Sequence, residues 1–189
     1  PGAIFEPGNE KEYLQLAGKL PESPFFFHTS VDSTNVQILS CIPEKLHRLL
    51  NKRFSELSLY HGSCSFLSYL FKERFNLIGQ EIWINLFGEH AYIAAFTDQE
   101  LSVFNRFEVE TKEDVLKYAL ILMETLQHDR NHARVTLFGA SEKSGITEEW
   151  GKSYFTNFRL IRPHANQNYG HGLSKDKAPT IFESFWHYL

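Results

Sequence analysis

The stretch IWINLFGEHAYIAAFTDQELSVFNRFEV, Ile82 to Val109, constrains the fold of this chain more than any other. Three short runs of apolar, β-branched and aromatic residues are broken at Gly88-Glu89 and at Thr97-Asp98-Gln99-Glu100, residue types that reverse a chain. The pattern predicts three consecutive antiparallel strands. A helix follows, with Thr111 as its cap, Asp114 three positions on, and a stripe of Val115, Ala119, Leu122, Met123 and Leu126; His128-Asp129-Arg130-Asn131 ends it. Ala133 to Phe138 reads as a buried strand closed by Gly139. Trp150, Tyr154 and Phe158 then fall at helical spacing despite Gly151, and Arg159 to Arg162 reads as a last strand before Pro163. The order is three strands and then α-β-α-β.

Upstream, Glu10 to Leu20 predicts a short amphipathic helix stopped by Pro21. Phe25 to His28 and Asn35 to Ile42, separated by Asp32-Ser33-Thr34, predict a hairpin. Pro43 is placed as a first helical residue, and Leu46, Leu49, Leu50 and Phe54 mark a helix with one buried face. Glu56 to Tyr60 alternates as a strand does, and Phe66, Leu67, Leu70 and Phe71 form the apolar stripe of another helix. From His164 to Pro179 the chain is polar and reads as a mobile loop. Phe182, Phe185, Trp186 and Tyr188 make a tail that must dock on its own body or on a partner.

Composition narrows the function classes. The 189 residues, 42% hydrophobic, suffice for one sizeable core or two small ones. A formal charge of −4, from 19 Lys and Arg against 23 Asp and Glu, provides no basic field for a phosphate backbone, so nucleic acid is not an expected partner. Apolar runs such as Ala91 to Phe96 are too short to cross a bilayer, and the first residues lack the basic and apolar regions of a signal peptide. Direct membrane insertion is therefore not expected, and the expected location is the cytoplasm. Cys41 and Cys64 read as buried free thiols. The chain begins with Pro1 and has a single Met, Met123, as a processed or truncated piece of a longer protein would.

Three antiparallel strands followed by α-β-α-β resembles the ribonuclease H-like half-domain, two of which build an actin-like ATPase around a nucleotide cleft. Cys41-Ile42-Pro43-Glu44-Lys45-Leu46, then Glu56-Leu57-Ser58-Leu59 and the Phe66 to Phe71 helix, is similar to a segment of the PilM-like and GspL-like pilus and secretion proteins. With Ile4-Phe5 and the hairpin from Phe25, nearly the whole chain resembles an uncharacterised bacterial family, a domain of unknown function with an actin-like ATPase fold. The implied class is α/β, in two half-domains. Residues 1–79 form an incomplete first half (helix, hairpin, helix, strand, helix) without its first three strands; residues 80–163 form the second half, and 164–189 the loop and aromatic tail.

The resemblance also sets chemical expectations. A working member carries an Asp on the first strand of each half, in an Asp-Leu/Ile-Gly turn, because Mg²⁺ takes anionic oxygen and phosphate needs close backbone approach. This chain has Asn85-Leu86-Phe87-Gly88 there, a neutral amide with Phe87 in the place of the close-approach glycine. The strand end that approaches adenosine in the family is Gly-Gly, and here it is Gly139-Ala140. Asn85, Gly88, Gly139 and Ala140 are therefore the candidate nucleotide-cleft positions. A ribonuclease-type two-metal site needs several carboxylates, and the central strand, read from Ile82, has none. His128 and His132 lie at a helix end without companions, Ser63-Cys64-Ser65 lacks an activating base, and no catalytic or metal residue is assigned. The expected function is a non-catalytic scaffold or interaction module, a pseudoenzyme with no cofactor and an unidentified protein partner, its oligomeric state open. The alternative is a divergent Mg-ATP-binding ATPase whose metal ligand lies in the preceding strands.

Overall fold

A computed structural model describes residues 4–31, 35–73, 76–139, 144–164, 166, 182–186 and 188. The chain divides into two compact units, Pro1–Ser68 with Tyr188–Leu189, and Tyr69–His187. The second is built on a five-stranded sheet. Its strands are β3 (Gln80–Phe87), β4 (His90–Thr97), β5 (Glu100–Glu108), β6 (Arg134–Gly139) and β7 (Asn157–Leu160), in the order β5-β4-β3-β6-β7. The first three pair antiparallel, and β6 and β7 add in parallel to β3. The three-strand unit and its turns thus form as the sequence predicts, two residues longer at the start because Gln80 and Glu81 join the ladder.

Every residue of β3 from Glu81 to Leu86 is buried, so both faces of the sheet are covered. Alternation sends Ile82, Ile84 and Leu86 to one face, where they meet Ala91, Ile93 and Ala95 of β4 and Val135 and Leu137 of β6. Helix α4 (Lys112–Leu126) closes that face with Val115, Ala119, Leu122 and Met123, and Leu126 packs at its edge. Its start is a capping box, in which the Thr111 hydroxyl accepts from the Asp114 amide and the Asp114 carboxylate accepts from the Thr111 amide.

The helix expected to carry Trp150, Tyr154 and Phe158 on one face is a correction. Helix α5 (Glu148–Lys152) is a single turn, and Phe158 lies in β7, beside Val135 of β6. A Cβ at Gly151 would run into the Phe158 ring, so the glycine lets the turn lie directly against the strand. The last strand accordingly begins at Asn157, not Arg159, because pairing with β6 sets its start.

In the first unit, helix α1 (Glu10–Ala17) precedes the antiparallel pair β1 (Pro24–Ser30) and β2 (Gln37–Pro43), which is the expected hairpin; Asp32-Ser33-Thr34 lie outside the described residues. Helix α2 (Glu44–Arg53) begins directly after β2, with Pro43 as its N-cap instead of its first residue. His47 stacks on Phe25 with ring centroids 3.5 Å apart. The expected buried stripe is not buried: Leu46 is 42%, Leu49 58% and Phe54 55% exposed. Periodicity reports a helix, not whether anything covers it. Glu56 to Tyr60 is not a strand either. Leu57 and Leu59 alternate with exposed neighbours, but the segment pairs with no strand among the described residues, and alternation without a partner leaves the backbone without a ladder. Helix α3 (Gly62–Glu73) forms as expected, with Phe66, Leu67 and Leu70 fully buried. Both thiols are free; Cys64 is buried, whereas Cys41 is only half-buried.

Candidate functional site

In open α/β sheets ligands gather at the carboxyl ends of adjacent parallel strands. Here those ends belong to β3 and β6, and their register sets Asn85 beside Phe138 and Leu86 beside Gly139. Two of the four candidate positions, Asn85 and Gly139, are therefore brought together. Gly139 has φ +95°, and a Cβ there would run into the Leu86 carbonyl and stand 2.8 Å from Asn85 Oδ1. Glycine is required for this close approach of two strand ends. Gly88 is elsewhere, in the β3–β4 turn at φ +56° with open space around it, so the turn accounts for it. Ala140 lies outside the described residues.

Asn85 is fully buried, and its Nδ2 donates to Glu183 Oε1 at 2.7 Å. Glu183 belongs to a short C-terminal helix, α6 (Phe182–Phe185). Phe182, 1% exposed, anchors this helix against Phe138, with centroids 5.0 Å apart, and Tyr69, 5.5 Å away. Tyr69 also meets Trp83 and Trp186 edge-on. Burial pushes the Glu183 carboxyl above its ordinary pKa, against the opposing hydrogen bonds of its own backbone amide and Asn85. The same apolar surroundings, aided by the Glu73 charge, push the Tyr69 hydroxyl up to about 12. Asn85 Oδ1, Trp83 Nε1 and Trp186 Nε1 are buried with no hydrogen-bond partner among the described residues.

This donor set does not fit a magnesium-bound phosphate. Asn85 brings no charge, its amide nitrogen is engaged by Glu183 and its oxygen faces Gly139. Phe87, in the place of the close-approach glycine, packs its ring at a tilt against Tyr92, with centroids 4.4 Å apart. The sequence pointed to Asn85 and Gly139 but missed Glu183, Tyr69 and Trp83. The aromatic tail was the one signal available, and Phe182 docks as that signal required.

A second correction concerns carboxylates. Glu81 lies on the central strand, fully buried, and accepts from Arg134 Nε at 2.9 Å and from the Ile78 amide at 2.8 Å. Burial raises its pKa, and Arg134 pulls it back down. Arg134 also donates to the Asn76 carbonyl at 2.8 Å. The pair sits at the end of β3 opposite Asn85, so it adds no carboxylate to the candidate site. His128 Nε2 meets Thr97 Oγ1 at 3.0 Å and His132 Nδ1 meets Asp129 at 2.7 Å. No group of three or more His, Cys, Asp or Glu gathers as a metal site among the described residues. No described helix is long and apolar enough to cross a membrane.

Among solved structures, a protein from Bacteroides thetaiotaomicron VPI-5482 with an actin-like ATPase fold and unknown function matches with a TM-score of 0.75 at 19% identity. The match covers 85% of this chain and 63% of that one. At that identity the likeness establishes the fold, an actin-like ATPase architecture of class α/β, and nothing about activity. No curated protein matches the sequence. The family model described as protein of unknown function (DUF3822) matches residues 1–158, and the chain belongs to that family.

Proposed function

We propose that this chain is a non-catalytic, actin-like interaction module working with a protein partner in a bacterial cytoplasm. The observation that supports this reading is the hydrogen bond from Asn85 to Glu183, which fills the crevice at the carboxyl ends of β3 and β6 with the chain's own residues. A neutral amide stands where the actin-like resemblance implies a metal-binding carboxylate, and it faces protein on both sides. The rival reading, a divergent Mg-ATP-binding protein with its metal ligand elsewhere, draws on Gly139, whose close approach to Leu86 already explains it. Calorimetric titration of the full-length protein with Mg-ATP separates the two. The expected result is no binding at sub-millimolar nucleotide; micromolar binding would overturn the non-catalytic reading.

A further inference from the structure

We infer that the aromatic crevice formed by Tyr69, Trp83, Asn85 and Phe138 is a peptide-recognition groove for a helical turn of the pattern Phe-Glu-x-x-Trp, and that α6 is its resident, competing ligand. The inference rests on the non-catalytic reading, and it names the kind of partner that this reading requires.

The contacts of α6 are those of a recognised short motif. Phe182 is a buried aromatic anchor seated on Phe138 and Tyr69, the type of residue that dominates binding energy in small interfaces. Trp186, one turn on, stacks parallel to Phe182 and meets Tyr69 at 5.0 Å, while Lys72 lies 5.4 Å from its ring centroid. Between the two anchors Glu183 supplies one directional polar contact, the acceptor for Asn85. Apolar anchors with a single polar contact that fixes orientation are the usual composition of a ligand site.

The fit of the resident is incomplete. Asn85 Oδ1 in the groove, Trp83 Nε1 beside Tyr69 and Trp186 Nε1 just past the end of α6 are buried without partners among the described residues, whereas polar groups of a settled core are satisfied. The half-buried Glu183 carboxylate accepts from two neutral donors, the Asn85 amide and its own backbone amide. The segment is joined to β7 by a polar, Gly-containing sequence. Tethering gives such a segment a local concentration on the order of millimolar, enough to hold a weak ligand in place and to mask the groove from the same motif in trans.

The test uses a fluorescent peptide of residues 178–189 and the full chain, read by anisotropy. The Phe182→Ala chain, its resident weakened, is expected to bind the peptide at least about tenfold more tightly than the wild-type chain. The Glu183→Ala chain, which keeps the aromatic anchor, should shift in the same direction by less and covers the case in which the first variant misfolds. A peptide carrying Phe182→Ala should lose at least about tenfold in affinity. Equal affinity for wild-type and both variant chains, or equal affinity of native and substituted peptides, means that α6 is a fixed part of the core and overturns the groove. Mg-ATP titrated into the same samples reports on the non-catalytic reading separately: peptide failure without nucleotide binding removes the groove and leaves that reading standing.

Discussion

Two residues on one face of β3 carry opposite lessons. Asn85 and Glu81 are both fully buried polar side chains, but Glu81 is held by Arg134 and a backbone amide, whereas Asn85 makes one hydrogen bond and leaves its oxygen without a partner among the described residues. Glu81 is structural. Removing its cation by Arg134→Met should cost about 3–5 kcal/mol, because it strands a buried charge, whereas the double variant Glu81→Leu/Arg134→Met should recover most of that loss. Urea denaturation midpoints of the three proteins check this, and a single variant as stable as wild type would contradict it. Gly139 belongs to the same end of the sheet as Asn85. A side chain there would collide with the Leu86 carbonyl, so substitution at Gly139 probes the fold before it probes any ligand.

The elements differ in how much of their formation is local. Helix α4 is written almost wholly in its own residues, from the capping box at Thr111 to the four buried positions of its stripe. Asp114 accepts from the Thr111 hydroxyl and from the amides of Thr111 and Glu110, and these bonds hold its pKa below the ordinary 3.8. A carboxyl lowered in the folded state contributes stability above its unfolded pKa and loses it as pH falls through the folded one. The stability difference between wild type and Asp114→Asn should therefore be constant above about pH 5 and shrink below about pH 4. Thermal midpoints across that range test the expectation, and a difference that grows on acidification would refute it. Helix α5 shows the opposite case. Trp150, Tyr154 and Phe158 have helical spacing, but the parallel ladder to β6 claims Phe158 for a strand, and no residue between Trp150 and Phe158 announces that long-range pairing. The same holds for Glu56 to Tyr60, where strand-like alternation finds no ladder among the described residues.

At the scale of the molecule the apolar core is unevenly shared. The large buried cluster lies in the second unit, on β3, β4, β6 and α4, while α1 and α2 contain no buried residue. Amide exchange should therefore be slowest in β3, β4 and β6 and at least about tenfold faster in α1 and α2. Uniform protection across both units would contradict this distribution. The order of elements from β3 to β7, the two tight turns of the β3–β4–β5 unit and the α4 stripe were determined by the sequence alone, because turn chemistry and apolar periodicity act over a few residues. The likeness of that element order to the ribonuclease H-like half-domain followed from them, whereas the strand order β5-β4-β3-β6-β7 is set by long-range pairing. Which polar groups meet was decided only by tertiary structure: Asn85 and Glu183 are 98 positions apart, Glu81 and Arg134 are 53 apart. A side-chain hydrogen bond depends on where two distant backbones come to rest, and no local period in the sequence records that distance.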